Sequence, residues 1–547
     1  MNQWRTRNHG FTKLVLTIDF KNAFNHVSRQ RFLEEVDEHM PGMSRWAQWC
    51  YCVSARLAYG SHLIQSRCGV QQGDPLGPLL FSLAIHPIAL RLAGLGRGGN
   101  PGRRLDLCFF YLDDGVLAGD PLAVAEALKT LIEECPALGL TLELSKSELV
   151  VMNDEVSQDL HRLFPRDLLI DQETGECRVR RRNFELLGAP FGSSEFCGQD
   201  ANERINKALP LLRKLENMPD PQVGTRLLRR CAGFCKLLFS IRVVPSVAHQ
   251  TELTRFVYNV RATFQALTGL TTVESQWEQA CRCFALAGVG LRSCARHAHP
   301  AYIASRTQTH DLCCKLDSEF RWEGADQSSW LGQGLAALNF ELPEHARLNA
   351  DRPDPVRQQT LSKGLERVDH ERFFRQLSLS DQAQINSEML PGASDFLEAV
   401  PSSETGLAMS PEEFVSELRT RLLMNHLPGD DWCPLCNCIM GGMLRSARVV
   451  GTAPADTIPS ATVTARLSTL LAFTLSSSGQ ACCPQLLTSL MLTGGDPLMS
   501  TCLHGRMARQ QPLTSPSHPL IAGIFWLVPP LSPALLPRLT SRSSAIT

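Results

Sequence analysis

Two adjacent carboxylates, Asp113 and Asp114, sit inside Phe109-Phe110-Tyr111-Leu112-Asp113-Asp114-Gly115-Val116-Leu117. Short apolar runs on either side of a turn read as two strands of a hairpin, with both acids at its tip. Successive side chains on a strand point to opposite faces, so the two acids do not share one face equally. A carboxylate pair among apolar strands needs a counter-charge, most simply Mg²⁺. The same residues also fit a solvated Asp-Asp-Gly turn. A third acid, Asp19, ends the β-type run Leu14-Val15-Leu16-Thr17-Ile18, and Phe20-Lys21-Asn22-Ala23-Phe24 follows it. Carboxylates on two neighbouring strands can hold two cations about 3.5–4 Å apart, which activate a 3′-hydroxyl and stabilise a leaving pyrophosphate.

The elements that position these acids follow from the pattern around them. The two hairpin runs and Leu14 to Ile18 predict three strands, and a fourth is expected at Leu63-Ile64 before Gly69-Val70-Gln71-Gln72-Gly73-Asp74-Pro75. Gly73 lets the backbone come close to a ligand, and Pro75 suits the first turn of a helix over Leu79 to Leu92. Residues 28–60 read as helix broken at Pro41-Gly42, with Trp46, Trp49, Cys50 and Val53 recurring at core-packing intervals. Pro121 to Cys135 reads as an amphipathic helix whose apolar face is Leu122, Val124, Ala125, Leu128, Leu131 and Ile132. Residues 1–13 read as a polar lead-in. Gly94 to Arg104 is a flexible glycine-rich loop, and no Lys-Ser/Thr pair follows it at P-loop spacing.

Five stretches in order resemble the reverse transcriptases of non-LTR (LINE-type) retrotransposons. They are Thr17-Ile18-Asp19-Phe20 with Ala23-Phe24 (motif A), Gly69 to Phe81 (motif B), Tyr111-Leu112-Asp113-Asp114 (motif C), Gly139 to Lys146 (motif D) and Leu186-Leu187-Gly188 (motif E). The resemblance implies an α+β fold: a palm with an antiparallel sheet and helices on one face, then a helical thumb and a helical extension. It implies an RNA-directed DNA polymerase that uses two Mg²⁺ ions, an RNA template, a DNA primer and deoxynucleoside triphosphates. Asp19, Asp113 and Asp114, with the Phe20 backbone carbonyl, would hold the metals. Lys146 would donate a proton to the leaving pyrophosphate. Phe24 would be the gate against a ribose 2′-hydroxyl, and Gln72 and Gly73 would lie against the nascent base pair. Tyr111 would flank the carboxylates, and Leu187 with Gly188 would grip the primer. The family commonly has Asn where this chain has Glu143.

Only 18 residues precede Asp19, whereas the family carries most of its fingers, with the residues that clamp the triphosphate, before that point. The expectation is therefore a truncated form with partial fingers, either an enzyme or an inert nucleic-acid-binding remnant. The expected division is a palm at 1–192, a thumb at 193–300, a helical extension at 301–440 and a tail at 441–547. The basic run Arg178 to Arg182 is open to two readings, phosphate binding or a solvated turn. Arg204, Lys207, Arg213, Lys214, Arg226, Arg229, Arg230 and Lys236 give the thumb its charge, for shape-based contact with a primer–template duplex. Gly288 to Ser293 resembles a stretch that follows the thumb in these elements. Asn349 to Val356 reads as a linker.

The bulk numbers are neutral: 547 residues, 54 basic and 55 acidic, for a net charge of −1. Any basic surface must then be local. The 20 cysteines are scattered and no secretory signal precedes them, so they read as free thiols of an intracellular protein, nuclear or cytoplasmic. No run of 18 apolar residues predicts a membrane span. Cys433 and Cys436 form a Cys-x-x-Cys pair, but a tetrahedral zinc needs four ligands and no second pair follows at the right distance. From Gly441 the chain has no Lys, Glu or Tyr and is rich in Ser, Thr, Leu and Pro. That composition predicts a disordered tail with no endonuclease domain.

Overall fold

The computed structural model describes residues 1–8, 11–95, 104–153 and 160–424. Residues 96–103 of the loop expected at 94–104, the Cys433/Cys436 zinc pair and the tail at 441–547 lie outside the described residues. The chain forms two compact units. One gathers Met1–Cys197 with Gln308–Trp322, and the other Gly198–Thr307 with the described residues from Glu323 on.

The first unit opens with α1 (Asn2–Arg7), β1 (Leu14–Ile18), α2 (Ala23–His26), α3 (Arg29–His39) and α4 (Pro41–Tyr51). The hairpin β2 (Ala55–Tyr59) and β3 (His62–Ser66) leads to α5 (Gly77–Gly94). Then come β4 (Leu105–Tyr111), β5 (Asp114–Gly119), α6 (Pro121–Glu134) and β6 (Glu148–Val151). The short helices α7 (Leu160–Leu163) and α8 (Arg166–Leu169), β7 (Arg180–Arg181) and the hairpin β8 (Phe184–Leu186) and β9 (Ala189–Phe191) complete it. The main sheet has the order β4-β5-β1-β6-β7 and is antiparallel except for the β6–β7 edge.

The middle strand explains its own composition. Leu14, Leu16 and Ile18 face a core built with Leu117, Leu149, Val151 and the apolar sides of α3, α5 and α6. Val15 faces the other way, packing with Val116, Ala118, Val150, Trp4 from α1, and Phe184 and Leu186 from β8. A strand covered on both faces has no polar side to alternate with, so it reads as a near-continuous apolar run. Each such side chain contributes on the order of 1.5–3 kcal/mol of burial. Helix α5 is apolar almost all round for the same reason. By length and composition it would qualify as a membrane span, but more than half of it is buried in this core.

Four expectations are corrected here. Residues 1–13 are not merely a polar lead-in. Trp4 of α1 is buried and its indole N–H donates to Asp106 (3.1 Å), while Lys13 bridges Asp106 and Asp120 (both 2.9 Å). The helix read over 28–60 ends at Tyr51, and Ala55–Tyr59 is strand. Trp46, Trp49 and Val53 do not pack in the core and are 43%, 78% and 73% exposed. The buried stripe of α4 is Ala47 and Tyr51, one turn apart. Trp49 lies two residues from each, on the far side of a helix that turns about 100° per residue. On α6 the buried stripe is Ala123, Val124, Ala127, Leu128 and Leu131, which leaves Leu122 and Ile132 outside it and exposed.

The second unit is helical: α10 (Pro221–Leu227), α11 (Leu238–Val243), α12 (Gln250–Thr268), α13 (Glu274–Cys281) and α14 (Cys294–Leu316), then α15 (Trp330–Glu341), α16 (Gln358–Arg375), α17 (Leu379–Glu388), α18 (Asp395–Glu398) and α19 (Pro411–Arg421). Helix α9 (Ser194–Glu216) leads into it and α14 runs out of it. Several basic side chains counted for the thumb are engaged internally. Arg204 pairs with Asp200 (2.8 Å), Arg229 donates to the Leu397 carbonyl (2.7 Å), and Arg226 donates to the Ala399 carbonyl (3.1 Å). The Gly288–Ser293 stretch has a packing role. A Cβ on Gly288 would run into the Arg282 backbone, and the Gly288 carbonyl accepts from the fully buried Arg421 (2.9 Å). Residues 349–356 connect elements within this unit.

Candidate active site

The register of β1 against β5 builds the site. Leu14 pairs with Gly119 and the ladder runs without slip to Ile18 opposite Gly115. The next residue on each side is Asp19 and Asp114, so both acids arrive at the same end of the sheet. Strands β4 and β5 are joined by the two-residue loop Leu112-Asp113, since Tyr111 pairs with Asp114. The hairpin tip is therefore Leu112-Asp113, and Asp114 is the first residue of β5 rather than part of the tip. Two-residue loops need positive φ to match strand twist. Leu112 supplies it at φ 59, a conformation that costs a residue with a Cβ about 1–2 kcal/mol. Gly115 is required by contact: a Cβ there would lie 2.5 Å from the Phe110 ring and 3.0 Å from the Ile18 Cβ.

The acids share one electrostatic field. Burial pushes the Asp19 carboxyl above its ordinary value. Lys146 opposes that shift, while Asp113 and Glu143 add to it. Burial likewise raises Asp114, and Asp113 and Asp19 add to it. Asp114 keeps solvent exposure, so water screens part of this effect. Desolvated carboxylates that repel one another are a donor set short of positive charge. Hard oxygen donors of this kind suit a divalent cation such as Mg²⁺. Among the described residues no three His, Cys, Asp or Glu side chains are gathered tightly enough to chelate an ion as they stand. The fit to a metal rests on placement and shared field.

Motif D is held against Asp19 by backbone pairing. The Glu143 N–H donates to the Asp19 carbonyl (2.8 Å), the Lys21 N–H donates to the Thr141 carbonyl (2.8 Å), and the Asp19 N–H donates to Ser147 Oγ (3.2 Å). Thr17 pairs with Glu148 and the buried Phe20 with Leu142, so the two residues between these pairs on one side face five on the other. The stretch Leu144 to Ser147 bulges out of the sheet and carries the exposed Lys146.

Motif B docks on the helix after motif A. The Val70 N–H donates to the Phe24 carbonyl (2.8 Å) and the Gly69 N–H to the Val27 carbonyl (2.8 Å). Phe24 is half-buried and stacks on Phe81 of α5, with ring centroids 4.7 Å apart. Gln72 and Gly73 are exposed, and Gly73 takes φ 91 with open space where a Cβ would point. The glycine is therefore needed for its backbone angle. Leu187 (φ 51) and Gly188 (φ 75) form the two-residue turn of the separate β8–β9 hairpin. Thus Asp19 feels both Lys146 and Asp113, Asp114 feels Asp113 and Asp19, Phe24 adjoins motif B, and the Leu187-Gly188 turn stands on its own sheet.

Three residues that the sequence did not single out hold these loops. Tyr51 donates to Asp74 and accepts from the Gln71 N–H (3.2 Å). Buried Arg29 donates to the Gly69 carbonyl (2.9 Å), the Ser66 carbonyl (2.8 Å) and Ser66 Oγ (2.7 Å). Asp74 also accepts from the Leu76 N–H (2.9 Å), and its place between Gly73 and Pro75 was the one available signal.

Residues 3–191 match the family described as reverse transcriptase (RNA-dependent DNA polymerase). A curated relative, the retrotransposable element SLACS 132 kDa protein of Trypanosoma brucei gambiense, is 30% identical over 155 residues. That match covers 25% of this chain and 12% of the relative, so the chain spans only a small part of it. A solved structure of telomerase from Candida albicans, in complex with a TWJ fragment of telomeric RNA, matches at 10% identity and a TM-score of 0.26. It covers 61% of this chain and 51% of that one, at a score that decides nothing. The family match takes in Asp19, the Asp113-Asp114 hairpin and the Lys146 bulge together: residues 3–191 are similar to the reverse transcriptase (RNA-dependent DNA polymerase) family over about a third of the chain.

Proposed function

We propose that this chain is an RNA-directed DNA polymerase of a retrotransposable element. It adds deoxynucleotides to a primer 3′-hydroxyl on an RNA template. The observation that carries this reading is the arrival of Asp19, Asp113 and Asp114 at one end of the sheet, with Lys146 acting on Asp19.

Asp19 and Asp113, with Asp114 as a third carboxylate and the Phe20 carbonyl beside them, would hold two Mg²⁺ ions. When bound, the ions lower the pKa of the attacking hydroxyl and neutralise charge on the leaving pyrophosphate. The protein's own part is positioning and charge balance. Lys146, on an exposed bulge beside Asp19, would donate a proton to the pyrophosphate as it departs. The Phe24 ring fills the volume that a 2′-hydroxyl would need. Gln72 and Gly73 offer an exposed edge to the nascent pair, Tyr111 flanks the carboxylates from the end of β4, and Leu187-Gly188 presents a turn to the primer.

The test is extension of a DNA primer on an RNA template by the purified chain with Mg²⁺ and deoxynucleotides. Template-dependent extension that Lys146→Ala slows supports the reading. A chain that binds the duplex but extends nothing, with Mg²⁺ or Mn²⁺, is an inert binding remnant.

A further inference from the structure

We infer that Arg178 is a positioning residue for Lys146, through the backbone of the bulge that carries it. The inference rests on the reading of Lys146 as proton donor. The bulge Leu144–Ser147 lies outside the strand ladder, so its carbonyls have no sheet partners. Arg178 supplies them. Its Nη1 donates to the Leu144 carbonyl (3.0 Å) and the Asp167 carbonyl (2.8 Å), and its Nη2 to the Ser145 carbonyl and the Ser147 carbonyl (3.2 Å). One guanidinium therefore closes over three of the four bulge residues and ties them to α8.

Arg178 is itself held. Its N–H donates to the Leu169 carbonyl (2.8 Å), and the preceding Cys177 bridges Ile170. The turn between them is fixed by Asp171, which accepts from the Glu173 N–H (2.9 Å) and the Thr174 N–H (3.0 Å), and by Gly175 at φ 72. Inside the bulge the Lys146 and Ser147 N–H groups both donate to the Glu143 carbonyl (3.0 Å each), and Glu143 is bound to Asp19. A chain of hydrogen bonds thus runs from Arg178 through the bulge to the strand end that carries Asp19. Planar, multi-donor geometry suits Arg to this task and not Lys. The result separates Arg178 from its neighbours in the basic run: Arg180 pairs with Glu148 (2.7 Å), and Arg181 is exposed at the sheet edge.

The experiment uses the full chain as wild type, Arg178→Gln and Arg178→Lys. In hydrogen–deuterium exchange without metal, Arg178→Gln should speed exchange across residues 143–148 at least tenfold, and Arg178→Lys should restore part of the protection. In single-nucleotide addition, Arg178→Gln should lower kcat about tenfold with little change in KM for the nucleotide. The same substitution in a Lys146→Ala background should cost nothing further, because the two act as one unit. Unchanged exchange in Arg178→Gln would overturn the inference, and so would an equal loss of kcat with and without Lys146. A wild-type chain with no extension activity would remove the polymerase reading instead, and the exchange measurement would still decide whether Arg178 orders the bulge.

Discussion

Ile18 lies opposite Gly115 in the antiparallel pairing of β1 with β5, and that one register step brings Asp19 and Asp114 to the same end of the sheet. The pairing leaves no room for a side chain at 115, where a Cβ would press on both Phe110 and Ile18. Gly115→Ala should therefore destabilise the first unit by about 1–3 kcal/mol through overpacking. Thermal or urea unfolding measures it. An unchanged midpoint would mean that the hairpin is looser than its register implies.

The raised Asp19 carboxyl gives a pH prediction. A carboxyl with a raised pKa in the folded chain binds its proton more readily there than in the unfolded chain. It therefore favours folding below the ordinary value of 3.8 and loses that contribution as pH rises through the raised value. At neutral pH the ionised group works against the fold. Without metal, Asp19→Asn should have a higher Tm than wild type at pH 7, with the gap closing as pH falls. Millimolar Mg²⁺ should raise the wild-type Tm and leave Asp19→Asn behind. A Tm for Asp19→Asn below wild type in metal-free buffer at pH 7 would contradict this.

Tyr51 offers a second stability test. Burial and the hydrogen bond to Asp74 push its phenol up to about 12, so it remains a donor throughout the working range. Tyr51→Phe leaves Asp74 and the Gln71 N–H short of a partner, at a cost of about 1–3 kcal/mol. The motif B loop should become more protease-sensitive than the rest of the unit. Equal protection in the variant would show that Arg29 and the Phe24–Val70 hydrogen bond suffice without it.

Much of the first unit was legible because burial leaves a mark on composition. The middle strand is apolar at nearly every position, and α5 is apolar on nearly every side, so both announce themselves. The two-residue spacing between Tyr111 and Asp114 was visible as well, although which residues form the tip depends on strand register. What was hidden depends on partners far away in sequence. Trp4 falls in what reads as a polar lead-in until Asp106 receives its N–H. Trp46 and Trp49 read as core because their spacing is helical, yet the buried side of α4 is chosen by Tyr51 reaching Asp74. Arg178 reads as one charge in a basic run, and only the bulge in motif D gives it three carbonyls to bind. Sequence periodicity reports which side chains are apolar. It does not report which backbone groups lack a partner.

Phe24 separates a gate from a packing residue. Its ring stacks on Phe81 yet stays half-buried, as a residue serving both purposes would be. Phe24→Val should let the enzyme incorporate ribonucleotides while retaining deoxynucleotide activity, because overlap with one hydroxyl can no longer reject the substrate. If Phe24 were only packing, Phe24→Ala would cost about 3–5 kcal/mol and both activities would fall together with Tm. Primer extension with each nucleotide set, beside a melting curve, tells the two apart.

The central claim is that Asp19 and the Asp113-Asp114 hairpin converge on bound metal. Iron-mediated backbone cleavage tests this directly: Fe²⁺ replaces Mg²⁺ in the purified chain, peroxide and ascorbate generate hydroxyl radicals, and the cut sites are mapped by mass spectrometry. The expected result is cleavage clustered near Asp19 and near Leu112–Asp114, competed away by Mg²⁺ and lost from both places in Asp113→Asn. Cuts at only one of the two segments, or cuts at both that persist in Asp113→Asn, would contradict a shared metal site.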